Sequence, residues 1–200
     1  SSDVCSSDLG IQLPLHDFNK VIIFISGRIN YTIEGRSYEL KPYDIVLVNA
    51  GEIHKPTILD NSAYERIIIY ISTQFLQKYS DKDYNLNYCF ECAKKERSGV
   101  LRVPSIEKSK LYQVCLELEH SFSAQAFAKE LYQKILFLEF MIQLNRTAIL
   151  NNINYLDSIN DNSKLLQIIN YINEHLTEDI TIDKIAEHFY LSRYYLMHYF

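Results

Sequence analysis

The chain has 200 residues, 48% of them hydrophobic and 22% charged, with only five glycines and four prolines. That composition excludes a disordered, collagen-like or linker-like chain, and the length holds one ordinary domain or one domain with part of a second. A net charge of −5 argues against a protein held on nucleic acid by charge alone. No apolar run nears the roughly 18 residues of a membrane span, since Val21–Ile25 and Ile67–Ile71 are short and soon broken. No membrane association is expected.

Cys5, Cys89, Cys92 and Cys115 do not make the dense pairing pattern of a small secreted domain. The N-terminus also lacks a basic region followed by an apolar core, so a cytoplasmic location is expected. Residues 1–9 (SSDVCSSDL) are small and polar, unlike the chain after them. They read as a non-native leader, and the fold is expected to start at Gly10.

From Lys20 to Ile71 short apolar runs alternate with turn signals about every ten residues. Val21–Ile25 is a continuous run that Gly27 breaks. Ile29, Tyr31 and Ile33 alternate with polar residues before Glu34-Gly35, and Tyr38 and Leu40 alternate before Pro42-Tyr43-Asp44. Ile45–Val48, Ile53–Leu59 and Ile67–Ile71 come next, separated by Ala50-Gly51-Glu52 and Asp60-Asn61-Ser62. Many short, evenly spaced strands predict an antiparallel barrel or jelly roll with room for a ligand.

The second half has helical spacing. Ser105 is placed to cap a helix carrying Leu111, Val114, Cys115, Leu118 and Phe122. From Ala124 to Asn145, Phe127, Leu131, Ile135, Leu138 and Ile142 mark one face, while Leu136, Phe140, Met141 and Leu144 mark another. A helix apolar on two sides needs two covers, so helices 105–122 and 124–145 are expected to bury one side in a homodimer. The Asn-rich stretch 148–163 reads as a linker.

Beyond it, Leu165, Ile168, Ile169, Ile172 and Leu176 place an apolar stripe on a helix from about Lys164 to His175. Thr181 is placed to cap a second helix with Ile182, Ile185, Ala186 and Phe189 inward, and Ser192 a third with Leu196 and Phe200 inward. Two short helices around a tight joint, with small Ala186 at their crossing, predict a helix-turn-helix. Its exposed face presents Arg193, Tyr194, Met197 and His198 to a major groove. Arg193, at the helix start, is placed to hold a phosphate.

TIDKIAEHFYLSRYYLMHYF, from Thr181 to Phe200, resembles the first helix-turn-helix of AraC-type transcription regulators, with the I-A-(x)4-L-S-(x)3-L-(x)3-F spacing intact. EGRSYELKPYDIVLVNAGEIHKP, from Glu34 to Pro56, is similar to the sugar-sensing cupin half of the same family, with its P-G-D turn, strand and P-G-x-x-H. The resemblance runs from about Leu15 to Phe200. It implies a cupin-like effector-binding barrel over 10–80, a helical dimerisation region over 81–147, and, after the linker, a partial DNA-binding domain over 164–200. Family members continue into a second helix-turn-helix, so the chain is expected to be a fragment ending at the first. Lys164, Lys184 and Arg193 against Glu174, Glu178, Asp179, Asp183 and Glu187 leave 164–200 at a net −2. The basic surface is expected in the C-terminal half of the DNA-binding domain.

The family pattern is not kept throughout. Tyr43 stands where a glycine is usual and Ala50 where a proline is. Metal-dependent cupins carry H-x-H-(x)3-4-E and a later His. The corresponding stretch here is His16-Asp17-Phe18, with Lys20 about where the carboxylate belongs. His16 and His54 alone make a poor metal shell, so neither metal, cofactor nor catalytic residue is expected. The resemblance instead places His16 and His54 at the effector pocket and assigns Ser192, Arg193, Tyr194, Met197 and His198 to DNA; Tyr31 and Glu52 are polar groups that suit effector binding of a hydroxyl-rich ligand such as a sugar, or else a core tyrosine and an exposed turn acid. Cys89-x-x-Cys92 is half a zinc or redox site that Cys115 and His120 complete only if their elements converge, and is otherwise a pair of half-buried thiols. Lys94-Lys95-Glu96-Arg97 reads as a solvated turn. The competing functions are a metal-dependent cupin enzyme acting on a small oxygenated substrate, and a ligand-binding or dimerisation module without DNA binding.

Overall fold

The structure, a computed structural model, describes residues 18–123, 125–150, 156, 158, 161–176 and 180–199. Strands β1 (Phe18–Ser26), β2 (Ile29–Ile33), β3 (Arg36–Glu39), β4 (Ile45–Val48), β5 (His54–Ile58) and β6 (Glu65–Ser72) succeed one another through the expected turns. Helices α1 (Thr73–Lys78) and α2 (Tyr88–Lys95) come next, then a two-residue strand β7 (Val100–Leu101). All described pairing is antiparallel, in two sheets of order β6-β1-β4-β7 and β3-β2-β5.

The expected closed barrel is corrected here to two open sheets. The strands β2 to β5 have only four or five residues, so each ladder ends before it can turn the corner into the other sheet. Pro56 sits on β5, at an edge of the smaller sheet, where its missing N–H interrupts no second ladder.

Val21–Ile25 and Ile45–Val48 are apolar without alternation because both of their faces are covered. Ile22, Phe24, Val46 and Val48 face the smaller sheet and pack with its Ile29, Tyr31, Ile33, Tyr38 and Leu40. Val21, Ile23, Ile45 and Leu47 face the other way, into a larger core with the helices. Side chains alternate between faces with period two, and strands covered on both faces carry no polar face. Gly99, just before β7, sits where a Cβ would lie 2.5 Å from the Leu47 carbonyl and 2.7 Å from Ile33 Cδ1. At the turn before β4, buried Asp44 accepts two hydrogen bonds from Arg102, at 2.8 and 2.7 Å, and one from the Lys41 amide at 2.7 Å. Tyr43, in the usual glycine's place, has φ 72°, the left-handed region that glycine enters without strain, and its ring packs edge-on against Tyr112.

The larger core is closed by α3 (Lys110–Ser123) and α4 (Lys129–Leu150). The capping residue expected at Ser105 is corrected. Ser105 is in the left-handed region before a short 3-10 turn, and Ser109 Oγ instead accepts from the Tyr112 amide. Likewise α4 begins at Lys129 rather than Ala124 and continues to Leu150, into the expected linker. Leu136, Phe140, Met141 and Leu144 form its buried side, as the sequence predicts. Asn145 is buried among them and fully used. Its Oδ1 accepts from the Cys89 amide at 2.8 Å, and its Nδ2 donates to the Leu86 and Met141 carbonyls, both at 2.8 Å.

Within the linker, Leu156 exchanges its backbone groups with β7 and its flank. Its amide donates to the Val100 carbonyl and its carbonyl accepts from Ser98 Oγ. Then come α5 (Asp161–Glu174), α6 (Ile182–Phe189) and α7 (Arg193–Tyr199), with a small core of Ile168, Ala186, Phe189, Leu191 and Leu196. Thr181 and Ser192 cap α6 and α7, accepting from the Lys184 and Tyr195 amides. Phe200 lies outside the described residues.

Replacing Asn145 by leucine strands a buried N–H and a buried carbonyl on α2 and its approach. We expect a loss of about 3 kcal/mol, read as a melting temperature lower by roughly 6–12 °C. A variant within 2 °C of the parent would contradict this role.

Candidate functional site

Two groups of side chains stand out on the sheet half of the molecule. The first is a hydrogen-bonded chain across the two sheets. Lys20, 8% exposed on β1, approaches His54 Nε2 of β5 at 2.9 Å, and Tyr31 Oη of β2 approaches His54 Nδ1 at 2.7 Å. With Lys20 as an ammonium, which has only donors, His54 accepts at Nε2, and the tautomer that does so carries its hydrogen on Nδ1, towards the tyrosine oxygen. The Tyr31 and His54 rings also stack, with centroids 5.9 Å apart. Burial lowers the Lys20 pKa and raises that of Tyr31, whose ring is 1% exposed. The Lys20 ammonium lies 5.6 Å from the ring centres of both Phe18 and Tyr70, which border an open depression between β1 and the start of α1.

Tyr31 and His54 are thus brought together by a hydrogen bond. His16 lies outside the described residues. Glu52 goes elsewhere: its carboxylate accepts from the Asn49 amide at 2.8 Å and from Asn49 Nδ2 at 3.3 Å, closing its own turn. It lines the second feature, a cavity of about 630 Å³ at the rim of the sheets, with Glu34, Arg36, Tyr38, Lys94 and Arg97.

Glu34 organises that rim. It and Gly35 both have positive φ, 45° and 74°, the geometry of a tight two-residue hairpin turn. The Glu34 amide donates to the Ile53 carbonyl, and Glu34 Oε1 accepts from the Ile53 amide, each at 2.8 Å. Its Oε2 accepts from the Ser192 amide at 2.9 Å, far along the chain. Desolvation holds the Glu34 carboxyl above its ordinary pKa, against the lowering effect of these hydrogen bonds. Glu52 is raised too, chiefly by desolvation and in part by the Glu34 charge, while the Asn49 amide opposes the shift. Beside them Arg36, 6% exposed, donates from Nη1 to the Arg97 carbonyl at 2.6 Å.

The far wall of the cavity is formed by Ser192, Arg193, Tyr194 and Tyr195. The Lys94 ammonium sits 4.8 Å from the Tyr194 ring centre, and the Arg36 guanidinium 5.3 Å from that of Tyr195. Lys94 to Arg97 are all exposed, as the reading of a solvated run expects, though Lys94 and Lys95 end α2, Lys94 meets Tyr194 and the Arg97 carbonyl anchors Arg36. Arg193 is exposed and pairs with Asp183 at 3.4 Å, and Met197 is exposed. The side chain of His198 lies outside the described residues.

Cys89 and Cys115 are buried, and burial pushes both thiols up, Cys115 to about 12. Among the described residues no three His, Cys, Asp or Glu side chains converge as a metal shell requires, and none of the described helices is long and apolar enough to cross a membrane. Glu34, Arg36 and Lys94 escape a reading by motif because their partners lie far away in sequence. The only local sign is a glutamate in a turn position that favours Gly, Asn or Asp.

The AraC-like ligand-binding domain family matches residues 5–136. The chain belongs to that family, and so carries the ligand-sensing domain of AraC-type regulators. Among solved structures it is similar to the AraC-like transcriptional activator CuxR, at 16% identity and TM-score 0.43, over 90% of this chain and 59% of that one. It is also similar to ToxT from Vibrio cholerae, at 15% identity and TM-score 0.39, over 92% of this chain and 66% of that one. The chain thus spans less than two thirds of the length of either protein. No curated protein sequence matches it.

Proposed function

We propose that this chain acts as a ligand-responsive, sequence-specific DNA-binding transcription regulator. The observation that carries the reading is a family-matched ligand-binding domain followed by α5–α7, which have a small core of their own and a tightly capped joint. In this reading α6 and α7 are the helix-turn-helix of residues 164–200, and α7 enters a major groove with Arg193, Tyr194, Met197 and His198, while Ser192 caps it. The effector is a small hydroxyl-rich molecule, of which a sugar is one kind. It draws on Tyr31, His54 and the neighbouring Lys20, with His16 on the segment before β1, while Glu52, which lines the separate rim cavity, is left out of that set. Neither metal nor cofactor takes part, and the regulator works in the cytoplasm.

Dimerisation uses the outward face of α4. Leu131 and Ile135 are 58% and 52% exposed, and Ile142 and Ile149 continue the stripe, with Phe122 of α3 and Phe127 exposed beside its start. From Leu131 to Ile149 such a stripe runs about 27 Å. A two-fold related copy presents the same stripe, so one antiparallel pairing covers both.

The net −2 of residues 164–200 favours the competing reading, a ligand-binding and dimerisation module without DNA contact. Selection from a pool of random 30-base-pair duplexes separates the two. The regulator reading predicts enrichment of a defined sequence, with each mismatch costing about 1–3 kcal/mol, and selection relaxed by Tyr194→Ala or Met197→Ala. Absence of enrichment would favour the module. For the dimer, sedimentation at micromolar concentration is expected to give a two-chain species that Ile135→Glu converts to monomer without lowering the melting temperature. A parent chain that sediments as a monomer would remove the dimer.

A further inference from the structure

Lys20 is a buried amine without a counter-charge. It is 8% exposed on β1, and among the described residues no carboxylate pairs with it. Buried lysines are ordinarily paired. This one instead meets an imidazole, His54 Nε2, at 2.9 Å. Burial lowers its pKa, so it gives up a proton more readily than a solvated lysine does. As a free amine it keeps the contact to His54 with one N–H, and its lone pair is released for a carbonyl carbon.

The surroundings suit such a reaction. The rings of Phe18 and Tyr70, edge-on to each other at 5.1 Å, each lie 5.6 Å from Lys20 Nζ. Both border the open depression of about 720 Å³ whose other wall carries Ser72, Thr73 and Gln74, and Tyr70 itself is 58% exposed. The amine thus stands behind two rings on a face open to solvent, with hydroxyl and amide groups opposite. On its inner side His54 Nδ1 lies 2.7 Å from Tyr31 Oη, and the two rings stack. Tyr31 thereby holds the imidazole with its Nε2 edge towards the amine, where it can take a proton and return it.

We propose that Lys20 binds its ligand covalently, as an imine with the aldehyde or ketone group of a small hydroxylated carbonyl compound entering by this depression. The inference rests on the reading that the effector draws on Lys20, His54 and Tyr31, and it names the effector's reacting group; open-chain aldoses and ketoses are compounds of this class. The Nζ lone pair attacks the carbonyl carbon, forming the C–N bond while the C=O π pair moves to oxygen. Both nitrogen protons end on that oxygen, carried by His54 Nε2. The first gives a carbinolamine, and with the second the oxygen departs as water while the C=N bond forms. Amine and carbonyl compound give imine and water, and His54 ends as it began. Hydrolysis reverses the step, so occupancy follows concentration as sensing requires.

The test uses the whole 200-residue chain, glyceraldehyde as the probe and cyanoborohydride to fix an imine as a secondary amine, with modified lysines located by peptide mass spectrometry. Lys20 is expected to be labelled on the order of tenfold faster than the exposed Lys41 and Lys82, because a positioned proton carrier speeds the transfer. His54→Gln is expected to remove that advantage and leave Lys41 and Lys82 unchanged. Labelling of Lys20 no faster than that of Lys41 and Lys82 in the parent would overturn the imine. An advantage that persists in His54→Gln would overturn the part given to His54. Melting temperatures with xylose against xylitol, and glucose against sorbitol, separate the imine from the reading beneath it. A rise with an aldose alone that Lys20→Met removes supports both. An equal rise with the aldose and its alcohol, Lys20 being labelled slowly, would overturn the imine and keep the site. Slow labelling of Lys20 with no rise from any of the four would overturn both.

Discussion

The constraint on which the molecule depends is that β1 and β4 are apolar on both faces. Such strands are stable only between two covers. The smaller sheet supplies one, and α2, α3 and α4 supply the other. The first cover sets β2 and β5 against each other, and their register pairs Tyr31 with Pro56 and Ile33 with His54. The Lys20–His54–Tyr31 chain results from this stacking, because Lys20 continues the face of Ile22 and Phe24 to the edge of the inter-sheet core. The second cover fixes α2, and with it Lys94, at the rim.

The turn at Glu34-Gly35 converts that scaffold into a contact. Its positive φ values reverse the chain within two residues and leave the Glu34 side chain between Ile53 and Ser192. A carboxylate buried there is unfavourable unless its oxygens are occupied, and two backbone amides occupy them. The same physics holds Asp44 against Arg102 at the next turn. Both acids lie in turns that look ordinary in sequence, and both work through partners distant along the chain.

Much of the fold was legible because period and burial agree. The six strands from Phe18 to Ser72 track the apolar runs, and Thr181 and Ser192 cap the helices they precede. Open rather than closed sheets were not legible, because closure depends on ladder lengths at the corners and not on alternation within a strand. Ser105 failed as a cap because Ser109 lies one turn further on and competes for the same role. Of the residues read as effector contacts, His54, taken from its place in the family pattern, and Tyr31, taken as a polar ring, are joined by a hydrogen bond, and Tyr31 is at the same time a core tyrosine. Glu52 shares their stretch of chain but turns back on Asn49 and faces a different cavity. Lys20 was visible only as a lost metal ligand, and its place beside His54 depends on the pairing of two sheets. Glu34, Arg36 and Lys94 gave no motif, since their meaning appears only when Tyr190–Tyr195 is brought to them through space.

The central claim is that ligand sensing in the sheets and the state of the α6–α7 joint are coupled. The direct measurement takes the first compound, from a panel of pentoses, hexoses and other small metabolites, that raises the melting temperature of this chain. Amide exchange across Tyr190–Leu196 is then compared with and without that compound. Coupling predicts that exchange in this segment changes by at least several-fold, in step with ligand occupancy. A compound that stabilises the sheets and leaves exchange at the joint unaltered would contradict the account.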